Sequence, residues 1–322
     1  MLKRIIGRSN IEVSAIGIGC WAIGGTFWRD GVPTGWGEVE DAESLRALRR
    51  ARELGITFFD TADIYGAGHS ETLLGQAFAG ERDQVIIATK FGHVFDEERH
   101  QAFEKDISPE YIHKACEASL KRMRTEYIDI YQLHLKDIEP GPAEQVCETL
   151  KALVREGKIR FFGWSTDDPN RARFWEGSPY YTSVQHNLNL FEDNPAMLAV
   201  CDELNIASIN RGPLARGLLT GKFSRQTTIP TIDVRRTWDL QKGLQAQRLD
   251  QLEALKPILT QEGRSLGQAA LGWLWARNEH TIPIPGFKTV AQVEENVGAI
   301  AFGKLSDQQM SDIEGILERS AS

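Results

Sequence analysis

The chain has 322 residues, of which 41% are hydrophobic and 25% are charged, a composition typical of globular proteins. Its formal net charge of −8 argues against a nucleic-acid-binding surface, which needs concentrated Lys and Arg. The first residues, MLKRIIGRSN, lack the apolar stretch of a signal peptide, and no run approaches the roughly 20 apolar residues of a membrane span, so we expect a cytoplasmic protein with no membrane partner.

The four cysteines are widely scattered along the chain, at Cys20, Cys116, Cys147 and Cys201. No pair has the short spacing of a zinc site or of a redox-active CxxC motif. We therefore expect reduced thiols and no bound metal.

The chain begins with a segment, residues 1–13, that is typical of a small β-hairpin and is predicted to cover the bottom of the fold. Short apolar or β-branched runs then alternate with longer amphipathic segments. The eight strand-like runs are residues 15–20, 58–62, 85–89, 128–134, 161–165, 183–187, 206–211 and 281–285. Each is apolar throughout rather than alternating, as in parallel strands that are covered on both faces.

Helices are predicted between these strands, where apolar residues recur three or four apart. Examples are residues 42–54, 112–123, 146–154 and 266–276. Residues 108–110 (Ser-Pro-Glu) indicate a helix start, and Gly55 and Gly157 indicate helix ends. Strict alternation implies right-handed crossovers and a parallel sheet. Eight repeats favour one α/β domain, a (β/α)8 TIM barrel over residues 1–322, with an open doubly wound sheet as the alternative.

Residues 17–22 match the degenerate G-x-G-x-x-A dinucleotide-binding pattern and follow a strand. A Rossmann site also needs a helix to begin at once, so that its amides face the pyrophosphate. Residues 23–37, which are rich in glycine, indicate a loop instead, and the helical pattern resumes only near Asp41. The sequence therefore disfavours a Rossmann site.

Polar side chains follow three consecutive barrel strands. Asp60 and Tyr65 lie at the end of the second strand and just after it, Lys90 ends the third, and His134 ends the fourth. Singly, they could be a turn cap, a packed aromatic, a solvated strand end and a core histidine. The carboxyl ends of barrel strands meet at one mouth, however, so we expect all four side chains to converge there.

These four residue types suit proton transfer to a carbonyl oxygen. The ordinary pKa of tyrosine, about 10, is too high for easy proton donation at neutral pH. A neighbouring ammonium stabilises the phenolate, so we expect Lys90 to lower the pKa of Tyr65. Asp60 would hold Lys90 charged and in place, and a neutral His134 would orient the carbonyl. Tyr65 is thus the candidate general acid.

At this point the sequence resembles the aldo-keto reductases, in their bacterial branch, over essentially its whole length. The motifs that carry the resemblance are residues 58–66 (FFDTADIYG), 68–78 (GHSETLLGQAF), 88–90, 131–134, 212–222 (GPLARGLLTGK) and 284–296 (IPGFKTVAQVEEN). The resemblance implies an oxidoreductase that reversibly transfers hydride between NADPH and an aldehyde or ketone. It also implies that Asp60, Tyr65, Lys90 and His134 form the catalytic tetrad.

The resemblance further implies an extended nicotinamide dinucleotide over the barrel mouth. The implied cofactor-binding residues are Cys20, Trp21, Asp60, Ser165, Gln185, Arg211, Gly212, Pro213, Leu214, Gly217, Lys222, Gly286, Lys288, Gln292, Glu295 and Asn296. Ser165 and Gln185 would bind the carboxamide, and residues 212–222 would wrap the pyrophosphate. Lys288 and Gln292 would meet the adenosine 2′-phosphate, which favours NADP over NAD, with Glu295 near the adenine.

Two positions depart from the family pattern. Thr166 stands where the family often has Asn, which leaves one carboxamide contact open. Arg211 replaces a stacking tyrosine, and its planar guanidinium is expected to flank the nicotinamide. The polar connection at residues 221–242 is expected to close over the cofactor.

The substrate is expected to be a small carbonyl compound or alcohol in contact with Trp21, Tyr65 and His134, in a pocket that Phe27, Trp28 and Trp36 could also wall. Two other functions stay open: a sensing module that keeps the cofactor, and a barrel hydrolase that uses carboxylates. The complete tetrad argues against the first, and the lack of facing acid pairs argues against the second. A monomer or small homo-oligomer is expected.

Overall fold

The computed structural model describes residues 1–318; residues 319–322, the end of the predicted domain, lie outside the described residues. The strands are β1 (Lys3–Ile5), β2 (Glu12–Ser14), β3 (Ile18–Gly19), β4 (Phe27–Arg29), β5 (Val32–Thr34), β6 (Phe58–Asp60), β7 (Ile86–Phe91), β8 (His93–Asp96), β9 (Gln101–Lys105), β10 (Ile128–Leu133), β11 (Ile159–Ser165), β12 (Tyr181–Asn187), β13 (Ala207–Arg211) and β14 (Thr281–Pro283). The helices are α1 (Asp41–Glu53), α2 (His69–Ala77), α3 (Pro109–Met123), α4 (Pro140–Arg155), α5 (Pro169–Ala172), α6 (Pro195–Leu204), α7 (Gly243–Leu259), α8 (Leu266–Arg277), α9 (Val290–Phe302) and α10 (Asp307–Ile316).

Eight parallel strands form the central sheet, in the order β14-β13-β12-β11-β10-β7-β6-β3. The two ends of this sheet meet, because Gly19 and Gly286 form a parallel bridge. The amides of Gly17 and Gly19 donate to the carbonyls of Pro283 and Pro285, at 2.9 and 3.0 Å. The sheet is therefore closed, and the predicted (β/α)8 barrel is confirmed in place of the open doubly wound alternative.

The helices lie on the outside of the barrel, and those with apolar residues three or four apart bury one apolar face, as this spacing predicts. In α1, for example, the buried positions are Ala47, Leu48 and Ala51. In contrast, α8 is buried on nearly all sides. The predicted start of α3 is confirmed, since the Ser108 hydroxyl accepts the amide of Tyr111 at 3.3 Å. Gly55 and Gly157, which follow α1 and α4, have φ angles of +88° and +75°, which glycine adopts without strain.

The N-terminal hairpin closes the bottom of the barrel. β1 and β2 pair in antiparallel fashion, as predicted. Ile6 and Val13 of this segment are buried, and they pack in one cluster with inward-facing barrel residues that include Phe58 and Ala207. Since Phe58 and Ala207 are the first residues of β6 and β13, the hairpin covers the amino ends of the strands and leaves the opposite mouth free.

A four-stranded sheet lies over that mouth, in the order β5-β4-β9-β8, and we call it the lid. The prediction of an irregular loop over residues 23–37 was therefore wrong in part. Asp30 and Gly31 both have positive φ angles, +51° and +73°, as in the two-residue turn that joins tightly paired strands. This turn folds β4 back onto β5, and β9 completes the sheet from a distant part of the chain.

The long polar connection at residues 221–242 contains neither helix nor strand, as predicted. The four cysteines are free and buried. Within residues 1–318, every helix is too short or too polar to span a bilayer. The same residues hold no group of three or more His, Cys, Asp or Glu side chains placed to bind a metal ion.

Candidate active site

A buried ion pair lies at the centre of the barrel mouth. Lys90 Nζ is 2.7 Å from Asp60 Oδ1, and the two side chains are 0% and 2% exposed. The same ammonium donates to the Thr61 carbonyl at 2.7 Å and to the Tyr65 hydroxyl at 3.2 Å. Its three donors are thus directed at three acceptors. Burial alone would lower the pKa of Lys90, but the attraction of Asp60 and Tyr65 outweighs it and raises that pKa, so the lysine stays charged.

Tyr65 lies between this ammonium and a histidine. Lys90 Nζ is 4.8 Å from the centre of the Tyr65 ring. The His134 ring packs edge-on against Tyr65, with 5.8 Å between ring centres. The structure therefore brings all four predicted residues, at positions 60, 65, 90 and 134, to one place.

Lys90 lowers the pKa of Tyr65, as expected, but the net shift of that pKa is upward. Burial raises the pKa of Tyr65 above its ordinary value, and the opposing attraction of Lys90 does not overcome it. The reason is that the phenolate would lose water in this apolar mouth, a cost that sequence alone does not reveal. At neutral pH the phenol keeps its proton.

His134 is neutral for a similar reason. Burial lowers its pKa well below the ordinary value, and the positive charges of Lys90, Arg211 and Arg29, together with His93, lower it further. Within residues 1–318, its Nδ1 is buried without a hydrogen-bond partner. A neutral imidazole can donate one hydrogen bond to a carbonyl oxygen.

Two glutamines, Gln132 and Gln185, complete the surroundings of Asp60. Gln132 Nε2 donates to Asp60 Oδ2 at 3.1 Å, and Gln185 Nε2 donates to the same oxygen at 2.7 Å. Sequence reasoning assigned Gln185 to the cofactor and gave Gln132 no role. The signal for Gln132 was its position two residues before His134, since alternate residues of a strand share a face.

Aromatic rings form one wall of the mouth. Trp21 stacks on Tyr65 at 5.8 Å and meets Trp36 edge-on at 5.3 Å. Phe27 is buried in the lid, whereas Trp28 is 40% exposed on its outer face. Trp28 therefore does not line the mouth, while Trp21 directly contacts the candidate proton donor.

A cluster of cations lies beside the mouth: Lys222, Arg235 and Lys288. Arg235 pairs with Asp233 at 2.6 Å. Partial burial, followed by the positive charge of Arg235, lowers the pKa of Lys222. The pKa of Lys288 is also lowered by partial burial and by Arg235, against the attraction of Asp233. Glu38 also attracts Lys288, so in the described chain three cations face two nearby carboxylates, Asp233 and Glu38. The excess positive charge fits an added anion such as a phosphate.

Arg235 fixes the 221–242 connection to the mouth, a role that sequence reasoning missed. Its guanidinium lies 4.8 Å from the Trp36 ring centre and 5.0 Å from that of Phe223. It also donates to the Arg216 carbonyl at 3.0 Å. Its position in a polar stretch gave no signal, because the contacts reach across the chain.

The 212–222 segment forms a tight loop with a 3-10 helix, Ala215–Thr220. Gly217 has a φ of +91° within it. A Cβ added there would lie 3.2 Å from Lys222 Cε. The φ angle favours glycine, and a Cβ would crowd the end of the Lys222 side chain. The close backbone suits an approaching pyrophosphate. Pro213 and Leu214 of the same loop are buried, and Gly212 also has a positive φ.

The segment around Lys288 is held by protein contacts. Lys288 Nζ donates to the carbonyls of Trp36 and Glu38 at 2.5 and 3.0 Å, and its amide donates to the Gln292 side chain at 2.7 Å. The Glu295 carboxylate accepts the Ser265 hydroxyl. Asn296 donates to the Gly286 carbonyl at 3.4 Å. Lys288 is therefore held against the backbone rather than extended into solvent. Glu295 and Asn296 of α9 bind the residue that caps α8 and the loop at Gly286.

The remaining predicted residues lie around the strand ends. Ser165 is buried and pairs in register with Gln185. Cys20 is buried too, and its amide donates to the Asp60 carbonyl at 2.8 Å. The Arg211 guanidinium binds Asp167, and the Thr166 hydroxyl donates to the Lys136 carbonyl at 3.1 Å. Thr166 is thus occupied by the turn after β11.

Comparison with known proteins gives a consistent result. The model of the "Aldo/keto reductase family" matches residues 15–318. "Aldo-keto reductase yakc [NADP(+)]" from Schizosaccharomyces pombe is 33% identical, over 94% of this chain and 88% of that protein. Among solved structures, a glycerol dehydrogenase, AKR11B4 from Gluconobacter oxydans, is 31% identical with a TM-score of 0.84, covering 98% of this chain and 94% of its own. The holo form of aldo-keto reductase AKR11C1 from Bacillus halodurans is 28% identical with a TM-score of 0.81, covering 100% and 98%.

Proposed function

This chain belongs to the aldo/keto reductase family, and we propose that it catalyses the reversible NADPH-dependent reduction of an aldehyde or ketone, with Tyr65 as the general acid. The observation that carries the proposal is the hydrogen-bonded series Asp60–Lys90–Tyr65, with His134 packed against the phenol. The NADP(+) in the name of the fission-yeast relative supports the choice of cofactor.

The residues of this chain control the proton. Because burial raises the pKa of Tyr65, the phenol holds its proton until a carbonyl oxygen gains negative charge beside it. As the proton leaves, Lys90 stabilises the phenolate at hydrogen-bond distance. Asp60 keeps Lys90 charged and oriented, and neutral His134 donates a hydrogen bond that orients the carbonyl. In alcohol oxidation the same phenolate takes the proton back.

The residues around the mouth fit a nicotinamide dinucleotide. When bound, NADPH supplies the hydride. Gln185 donates a hydrogen bond from Nε2 to Asp60, so its side-chain oxygen can accept a hydrogen bond from a carboxamide next to Ser165. The 212–222 segment would meet the pyrophosphate with its close backbone at Gly217 and with the charge of Lys222. Lys288 offers its charge to a 2′-phosphate, which favours NADPH over NADH.

The experiment is an NADPH-oxidation assay over a panel of aldehydes and ketones, with Tyr65→Phe as the test variant. We expect turnover by the native protein and a loss of about a hundred- to ten-thousand-fold in the variant, the usual contribution of a positioned acid. Tyr180→Phe is the matched control, because Tyr180 precedes β12 far from the mouth. Full turnover in Tyr65→Phe would refute the proton donor, and no turnover of any carbonyl by the native protein would refute the activity.

A further inference from the structure

One face of the lid carries a cation towards the barrel mouth. In β4, Phe27 and Arg29 share a face, because alternate residues of a strand point the same way. Phe27 is buried against Ala62 and Ile64, in the loop that bears the candidate proton donor. Trp28, on the opposite face, is 40% exposed. Arg29 is therefore directed inward, over the mouth.

Contacts connect Arg29 to the reaction centre. Its Nη2 is 3.1 Å from His93 Nδ1, and only the guanidinium can donate in this pair. The His93 ring meets the His134 ring edge-on at 5.2 Å. His134 in turn packs on Tyr65. Arg29 thus lies two imidazole rings from the phenol.

His93 holds Arg29 in place without adding charge. Burial, together with the charges of Arg29 and Lys105, lowers the pKa of His93 to about 4. The ring is therefore neutral at physiological pH, with its proton on Nε2 and Nδ1 free to accept from Arg29. The positive charge over this part of the mouth belongs to Arg29.

Arg29 has no counter-charge in the described part of the chain, residues 1–318. It forms no ion pair there, and its Nε is buried without a hydrogen-bond partner. Two other arginines beside the mouth, Arg211 and Arg235, are paired with Asp167 and Asp233. A partly buried guanidinium with unused donors is costly unless an anion joins it. Its planar fork matches a carboxylate or a phosphate.

We propose that the substrate carries an anionic group, a carboxylate or a phosphate, which Arg29 binds while the carbonyl lies between Tyr65 and His134. Arg29 is then a specificity-determining residue, and oxo acids or phosphorylated carbonyl compounds are preferred over neutral ones. This inference depends on the proposed reductase function, because it names the substrate class of the same site.

The test compares kcat/KM for matched pairs of substrates: succinic semialdehyde against pentanal, and phosphorylated against free glyceraldehyde. We expect the anionic member of each pair to have a kcat/KM about ten- to a hundred-fold higher, which is the usual effect of one hydrogen bond to a charged group. Arg29→Gln should abolish the preference, and Arg29→Lys should retain part of it. Arg99→Gln is the matched control, since Arg99 lies beside the lid strands with its side chain 79% exposed.

Each outcome decides the inference. The pair that shows the larger preference identifies a carboxylate or a phosphate as the anionic group. Equal kcat/KM within both pairs, or a preference that survives Arg29→Gln, overturns the inference but leaves the reductase function intact. If no carbonyl is reduced, the function fails, and calorimetric titration of succinate and inorganic phosphate with NADP present still tests Arg29. Binding that Arg29→Gln removes supports the anion site, whereas absent binding overturns it.

Discussion

Replacement of Asp60 by Asn is expected to destabilise the barrel by about 3–5 kcal/mol, the cost of removing one partner from a buried ion pair. Asp60 Oδ1 lies 2.7 Å from Lys90 Nζ, and both side chains are excluded from water. Asn has the same size and can still accept a hydrogen bond, so the loss reports the missing charge. Urea unfolding at neutral pH, followed by tryptophan fluorescence, measures it.

The controls separate the charge from the substitution. Asp96→Asn removes a carboxylate that pairs with exposed Arg99 at 3.8 Å, and should cost less than about 1 kcal/mol. In the double variant Asp60→Asn/Lys90→Met the unpaired ammonium is gone. Its loss of unfolding free energy should therefore be smaller than the sum of the losses in the two single variants. Strict additivity, or a loss in Asp60→Asn no larger than in Asp96→Asn, would show that the buried ion pair does not stabilise the barrel.

Three further predictions follow from the site. Burial lowers the pKa of His134 and raises that of Tyr65, so neither group titrates between about pH 6 and 9. The kcat/KM for carbonyl reduction should stay level there, and a tenfold change per pH unit would contradict it. Lys288→Ala should weaken NADPH at least about tenfold more than NADH in fluorescence titrations, whereas equal losses would contradict a 2′-phosphate contact. Gly217→Ala, at a φ of +91°, should cost about 1–3 kcal/mol in urea unfolding, whereas Gly315→Ala, at an uncrowded position in α10, should cost nothing.

The barrel strands could be read from the sequence because each is a local apolar run with its own turn signals. The positions of β6, β7 and β10 each overlap a predicted run. The lid was missed because its strands are short and pair across the chain: Trp28 of β4 pairs with Gln101 of β9. Only the Asp30-Gly31 turn signalled it locally.

The site was predictable to the extent that strand ends determine it. Asp60, Lys90 and His134 lie at or next to the ends of neighbouring strands, so barrel geometry brings them together. The direction in which the pKa of Tyr65 shifts could not be predicted, because it depends on the burial of the phenol in the folded mouth. Arg29 gave no signal either, because its contact with His93 joins residues that are distant in sequence. The cofactor contacts implied by the family resemblance stay predictions.

In the proposed reaction the proton reaches the substrate from the phenol at position 65. This proton transfer can be measured in a single turnover with NADPH and a reactive aldehyde, on native and Tyr65→Phe protein side by side. We expect a rate of NADPH oxidation about a hundred- to ten-thousand-fold lower in the variant, with NADPH affinity preserved. Equal single-turnover rates in the two proteins would contradict it.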